Sequence, residues 1–443
     1  MEKEREHRYN NAKIKDMKRV LTLLLLLIGV NIHMYPDVTL SYCLQRAEEN
    51  YPDIKKYGLL DNTTELNLSE INRGWLPRIA LSAQGTVQNI VPAFPDVLRN
   101  MLSQNGFQLD GMSKLQYKVA VELNQTIWDG GASKAGREIE RASLAESKAA
   151  LDVELYAIRG QVENLYFGIL LMQEQMKQTE SVIDLLGANL QRLQSMVKNG
   201  IAMQSDADMV EAQQLSMKQS LAEARSAVDG YKNLLSIYIG EVLGDSELIC
   251  PEAEMPESGD SARPELALFD KRIEQNIARE RGLDASTMPR IGFFTQAYYG
   301  YPGFNYFESM RNRNLSFNIM AGVKVSWNVE PLYTKNINRK KLKLNSEMVN
   351  VGRENFLFNS RLQSAKEESE IAGIREVMKE DSRIVELRQN VRRSAESQLR
   401  NGIIDATALL SKINDENQAK LNSAYHRIQL VQNIYKLKNT LNQ

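Results

Sequence analysis

Three histidines, two cysteines and scattered carboxylates are what 443 residues offer to nucleophilic, metal or acid–base chemistry. His7 and His33 lie in or beside the N-terminal targeting segment read at 1–34, which leaves His426 alone on a stretch of helical period. No Cys/His spacing suits a zinc ion, no glycine-rich loop ends in the lysine that cradles phosphates, and no elbow presents a serine nucleophile. Cys43 and Cys250 could pair in an exported protein, but nothing in the spacing shows that they meet. Cys43 follows Ser41 and the bulky Tyr42, where a lipid-modified cysteine needs small residues. Met172 and Met176 fall on an apolar helical stripe, so packing accounts for them better than copper does. The reactive residues therefore argue against an enzyme, and neither a cofactor nor a metal site is expected.

The elements that hold these residues explain more. Net charge is −1, and residues 1–34 carry +3, which leaves −4 for the remainder and gives no reason to expect nucleic acid as a partner. Residues 1–34 read as a secretory signal with an uncertain cleavage site: Lys15, Lys18 and Arg19 flank an apolar run at 20–30, too short to span a bilayer. Beyond it no apolar stretch of helix-spanning length follows. Entry into a membrane would have to use a closed β-barrel, because only helices and barrels satisfy their backbone in lipid.

The chain is a duplication. "LPRIALSAQ" from Leu76 returns as "MPRIGFFTQ" from Met288, an offset of 212 that also relates Tyr51–Ile54 to Arg263–Leu266. "VEL" at Val121 returns as "VKV" at Val323, and "KNGI" at Lys198 as "RNGI" at Arg400, both offset by 202. The change of ten belongs to a longer loop in the first half, holding Pro92, Pro95, Asn105 and Gly106. Four matches in one order divide the chain into a first repeat at 35–244, a linker at 245–262 and a second repeat at 263–443. Each repeat reads as short helix, strand, loop, strand, very long helix, turn, long helix.

Period two marks the strands. Ile79, Leu81, Ala83, Gly85 and Val87 share one face; so do Leu115, Tyr117, Val119, Val121 and Leu123. In the second half Ile291 to Tyr299 and Leu315 to Val329 repeat the alternation. The opposite faces carry Lys118, Glu122 and Lys324 among Ser, Asn and Gln, as expected of membrane strands with lipid outside and water inside. Tyr298, Tyr299, Tyr301, Tyr306 and Phe307 suit an aromatic girdle at a strand end. A soluble half-buried sheet is the alternative. Four strands cannot close a barrel, but three subunits would supply twelve and leave no free edge.

Residues 132–197 contain no proline and repeat apolar residues at three and four, which predicts an amphipathic helix of about 100 Å at 1.5 Å per residue. Residues 332–399 match it. Each is followed by a glycine turn and a second helix, at 204–239 and 405–441. Helices this long need neighbours along their length. A coiled-coil scaffold or adaptor without a pore is the rival reading.

Duplicated "PRI" strands, the alternating strand that ends in "NQTIWDGG" (Asn124 to Gly131) and the paired "NGI" turns make the chain resemble the TolC-type outer-membrane efflux proteins over nearly all of 35–442. The resemblance implies a mixed α and β membrane protein: a trimer sharing a twelve-stranded outer-membrane barrel, four strands per chain, above a long periplasmic helical barrel. It implies a passive exit duct in the cell outer membrane, surrounded by outer-membrane lipid and extending into the periplasm. The partners implied are two further copies of the chain, a periplasmic adaptor and an inner-membrane transporter of an efflux or type I secretion system. Gly200 and Gly402 match the periplasmic turns where the adaptor is expected to dock, and each also reads as a helix cap. Asp206 matches an acid that constricts the closed tip and also suits a helix start. The second repeat departs from the pattern: Ala408 and Ser411 stand where such acids belong, and Asp405, a candidate for the same constriction, and Asp208 lie near but at other spacings.

Overall fold

The structure, a computed structural model, describes residues 38–106, 111–257 and 259–443. The signal expected at 1–34 lies outside the described residues. A helix α1 (Leu40–Asn50), a 3₁₀ turn (Pro52–Lys55) and α2 (Lys56–Arg73) lead to β1 (Arg78–Val87). A short α3 (Asp96–Gln104), β2 (Leu115–Trp128), α4 (Ala132–Lys198) and α5 (Gln204–Ile239) complete the first pass. The second runs α6 (Pro264–Ser286), β3 (Arg290–Tyr301), α7 (Tyr306–Arg311), β4 (Ser316–Ser326), α8 (Glu330–Arg400) and α9 (Ala406–Leu441). The long helices α4 and α8 have 67 and 71 residues.

All four strands form one antiparallel sheet in the order β1-β2-β3-β4. Its registers pair even-numbered residues with even: Gln84 with Lys118, Lys118 with Gly300, Gly300 with Ser316. One face is thus built from even positions on every strand and the other from odd ones. Both outer edges, on β1 and β4, have no partner strand within the described residues.

The passage from β2 into α4 shows why "WDGG" stands there. Gly130 and Gly131 both take positive φ, +69° and +89°, which glycine adopts without steric cost. A Cβ on Gly130 would also fall 2.5 Å from the Met288 Cβ. Asp129 then caps the helix: its carboxylate accepts from the N–H of Gly131 at 2.9 Å and of Ser133 at 2.6 Å. These bonds outweigh burial and hold its carboxyl below the ordinary range.

Below the sheet, α4 packs against α5, α6 and α9. One core gathers Val162, Tyr166, Phe167, Ile169, Leu235 and Ile239 with Leu40 and Cys43 of α1. Tyr166 and Phe167 are fully buried, and each such side chain contributes about 2 to 3 kcal/mol. A second core at the far end draws Leu186, Leu193, Val210, Leu399, Leu409 and Ile413 from all four long helices, so the two hairpin ends pack as one unit.

Two sequence expectations need adjustment, and one open point is resolved. The first-half loop contains a helix, α3, whose first-turn acid Asp96 follows Pro95, a proline that fixes the helix entry rather than a turn. Tyr298 and Tyr301 do not belong to an outward aromatic girdle. Tyr298 is on the even face, donating to the Pro302 carbonyl at 2.9 Å, and Tyr301 is 2% exposed. Tyr299, Tyr306 and Phe307 are exposed, as a girdle needs. Cys43 is buried and Cys250 exposed, and both are free thiols.

Candidate functional site

The odd face of the sheet carries Ile79, Leu81, Val119, Val121, Phe317, Ile319, Val323 and Val325 with no charged residue among the paired positions. These side chains are exposed; Leu81 is 74% and Phe317 69% open. Every charged residue within the paired strands lies on the even face: Arg78, Lys118, Glu122, Arg290 and Lys324. Such a partition has a physical reading. A β face of contiguous exposed aliphatic and aromatic groups is stable only against a nonaqueous neighbour, whereas the other face suits water.

The even face is the more enclosed side. Lys118 and Glu122 are half-buried there, and Lys324 is exposed near the opposite edge. Glu122 accepts from the Gln296 side-chain amide at 2.6 Å, and the Lys118 ammonium stands 5.6 Å from the centre of the Tyr298 ring. A recess of about 290 Å³ is lined by Gln84, Gln116, Lys118, Gln296, Tyr298 and Phe304. The loops close over this end. Tyr301 accepts from the Ser113 N–H at 2.8 Å and donates to the Ser309 carbonyl at 2.9 Å, tying the β1–β2 loop to α7.

About 100 Å of helix away, the two hairpin turns have the same construction. Gly200 has φ +71° and donates to the Val197 carbonyl at 2.9 Å, while Ile201 donates to Met196 at 2.9 Å. Gly402 has φ +69°; its N–H reaches Leu399 at 3.0 Å, and that of Ile403 reaches Gln398 at 2.9 Å. Both are Schellman motifs, in which a left-handed residue lets two orphan carbonyls be satisfied. Open space surrounds both glycines, so φ alone demands them. Ile201, Met203 and Ile403 are exposed beside them.

Asp206 and Asp405 both act as caps. Asp206 accepts from the Met203 N–H at 3.2 Å, and Asp405 accepts from the Ala408 N–H at 2.9 Å. The packing of the hairpin ends brings the two turns together but leaves Lys118, Glu122 and Lys324 at the distant sheet. His426 bonds Asp381 at 2.8 Å between α9 and α8, a helix-to-helix contact far from either.

Sequence reading missed a buried ionic cluster above the tips. Arg392 of α8 bonds Glu416 of α9 at 2.5 Å and Glu396 at 2.9 Å; Lys420 joins Glu416 at 2.8 Å. Asn189 of α4 completes it, 3.4 Å from Glu396. The only signal was two i,i+4 charge pairs, which read equally well as a solvated helix face. Arg78 and Arg290 were also passed over as site residues, although the "PRI" motif holds one in each repeat.

Residues 43–241 match the family model described as outer membrane efflux protein. No curated protein matches the sequence. Among solved structures, the outer membrane protein VceC from Vibrio cholerae is similar with a TM-score of 0.63 and 10% identity, over 91% of this chain and 95% of that one. The Campylobacter jejuni CmeC outer membrane channel matches at TM-score 0.63 and 14% identity, covering 91% and 85%. The open-state Neisseria gonorrhoeae MtrE outer membrane channel matches at TM-score 0.63 and 15% identity, covering 91% and 88%.

Proposed function

We propose that this chain, a TolC-type outer-membrane efflux protein by the match of its first half and by its fold, is one subunit of a passive exit duct. It works in the cell outer membrane with its long helices in the periplasm, and it catalyses no reaction. The observation that carries the reading is the two-faced sheet: an uncharged apolar side, a charged side, and two unpaired edges. In lipid an open edge leaves backbone groups unsatisfied, each at a cost of several kcal/mol. Three copies, each pairing β4 with a neighbour's β1, remove every edge. The helical part supports the same assembly: α8 leaves Ile337, Leu344, Val351 and Phe358 exposed at intervals of seven, a seam suited to another helix.

The periplasmic end is the docking point for an adaptor, which couples the duct to an inner-membrane transporter. The two Schellman turns present Ile201, Met203 and Ile403 to it, and Gly200 and Gly402 shape the contact. Asp206 and Asp405 sit at the narrowest part of this end and add charge there, in addition to their capping bonds. The domain division follows the same logic: 35–244 and 263–443 are two copies of one unit, joined at 245–262. A pore-free scaffold would have no use for a charge-free, exposed sheet face.

Protein purified from outer membranes in detergent tests this. A light-scattering mass of three chains, with insertion and conductance in a planar bilayer, is expected; an inserting trimer of low conductance fits a closed tip. A soluble species that neither inserts nor conducts would sink the duct and favour the scaffold. Ile201→Asp with Ile403→Asp should leave the trimer intact and abolish co-purification with the adaptor.

A further inference from the structure

The charges on the water face of the sheet are unequal. Arg78, Lys118, Arg290 and Lys324 stand against the single acid Glu122, a net of three positive charges per chain. Three of the four are concentrated at one level. Arg78 aligns, through Asn124, with Phe294 of β3; Lys324 pairs with Gly292; Arg290 opens β3. They come from three strands yet fall within five residues along β3, at the end where strands give way to the helices. The duplication keeps a base here twice, since Arg78 and Arg290 are the same position of the "PRI" motif, 212 residues apart.

Glu122, the single acid of this face, bonds the Gln296 amide and forms no ion pair with the three bases, so it offsets one charge and leaves the excess. Of the acids near the junction of strands and helices, Asp129 caps α4, and Glu280 and Asp284 in the last turns of α6 pair with Lys335 and Arg339, while Glu330 lies in the first turn of α8, off the sheet. The hairpin ends do not offset the excess. Residues 198–208 and 400–410 hold Lys198 and Arg400 against Asp206, Asp208 and Asp405, a net of one negative charge per chain.

Resting on the duct reading, we propose that Arg78, Arg290 and Lys324 form a basic collar that selects anionic solutes, those bearing carboxylate or phosphate groups. A ring of like charges in a confined, low-dielectric wall concentrates counter-ions and repels co-ions. Lys118, toward the closed-over end, continues the same field. Glu122 and Lys324 are equivalent positions of the two repeats, so the second repeat has a base where the first has an acid.

The test is the zero-current potential of the purified trimer in a planar bilayer across a potassium chloride gradient. The sign needs only a residual current, so a closed tip does not prevent it. Wild-type protein should prefer chloride over potassium roughly threefold or more. Lys324→Glu and the double variant Arg78→Glu/Arg290→Glu should abolish or reverse the preference; Lys324→Arg should keep it. A wild-type preference for potassium, no preference, or a chloride preference unmoved by charge reversal in assembled trimers would overturn the collar while leaving the duct standing. Trimers that carry no current at all would remove the duct and the collar with it.

Discussion

Arg392 on α8 and Glu416 on α9 meet at 2.5 Å, and Glu416 is 3% exposed. Burial there opposes ionisation, yet Lys420 and Arg392 together hold the Glu416 carboxyl below its ordinary range. The pair pins α9 to α8 about ten residues above the turn.

Arg392→Met would leave Glu396 and Glu416 with only Lys420 between them. Breaking a buried pair from one side costs about 3 to 5 kcal/mol, since a charge stays buried without its partner. The expected outcome is a marked fall in unfolding temperature and fast hydrogen exchange confined to the hairpin ends. Replacing Glu396 and Glu416 by Gln in the same variant should recover much of the loss. An unchanged unfolding temperature for Arg392→Met would show that the cluster holds nothing together.

Gly200→Ala and Gly402→Ala should each cost about 1 kcal/mol. The cost comes from the left-handed backbone, because an added methyl group meets no neighbour at either position. Local exchange at the turns should rise while the trimer mass stays constant. Loss of the trimer would mean that the turns serve assembly and not merely reversal of the chain.

Glu163 of α4 is pushed up to about 7 by burial, with Arg159 and Lys436 opposing and Glu367 of α8 reinforcing. Its value in an unfolded chain is near 4.5. The folded form therefore binds the proton more tightly. The stabilisation is complete below about pH 4.5 and is lost as the pH rises toward 7, on the order of 3 kcal/mol. Glu163→Gln should flatten this part of the profile and stabilise the protein at pH 8. A profile with the same slope in the variant would place the titration elsewhere.

Cys43 is buried, and burial raises its thiol to about 12, so at pH 7 it stays protonated and inert. Cys250 is exposed. A maleimide should label one cysteine per native chain, at Cys250, and two after denaturation. Equal native labelling of both would contradict this packing around α1.

Tyr166 holds the segment that leads into α1 against the linker. Its hydroxyl lies 2.8 Å from the Val38 carbonyl and 2.6 Å from that of Ile249, beside the bridge from Val38 to Leu248. Tyr166→Phe leaves the ring in place and takes the donor from two carbonyls, at a cost of about 1 to 3 kcal/mol. Protease nicking of residues 245–257 should rise in the variant, and an unchanged rate would assign the linker's order to apolar contacts alone.

The sequence by itself determined whatever repeats at short range. Period two placed Val119, Val121, Val323 and Val325 on one face, because alternation is a property of the extended backbone. Periods of three and four, uninterrupted by proline, placed α4 and α8 to within two residues. Gly200 and Gly402 were legible as turns because a positive φ is written in the residue type. Residue type could not say which faces meet. Asp206 and Asp405 could be gate acids or caps on sequence alone, and only the folded turns put each carboxylate on a backbone N–H. The helix in the first loop was hidden by Pro92 and Pro95, which precede it. The Arg392 cluster was hidden because an i,i+4 charge pair looks the same in water and in a core. The collar needed the registers: Arg78, Arg290 and Lys324 are far apart in the chain, and hydrogen bonding between strands decided that they share one face at one level. Local periodicity is a matter of backbone geometry; the meeting of distant residues is a matter of packing, and only the tertiary structure sets it.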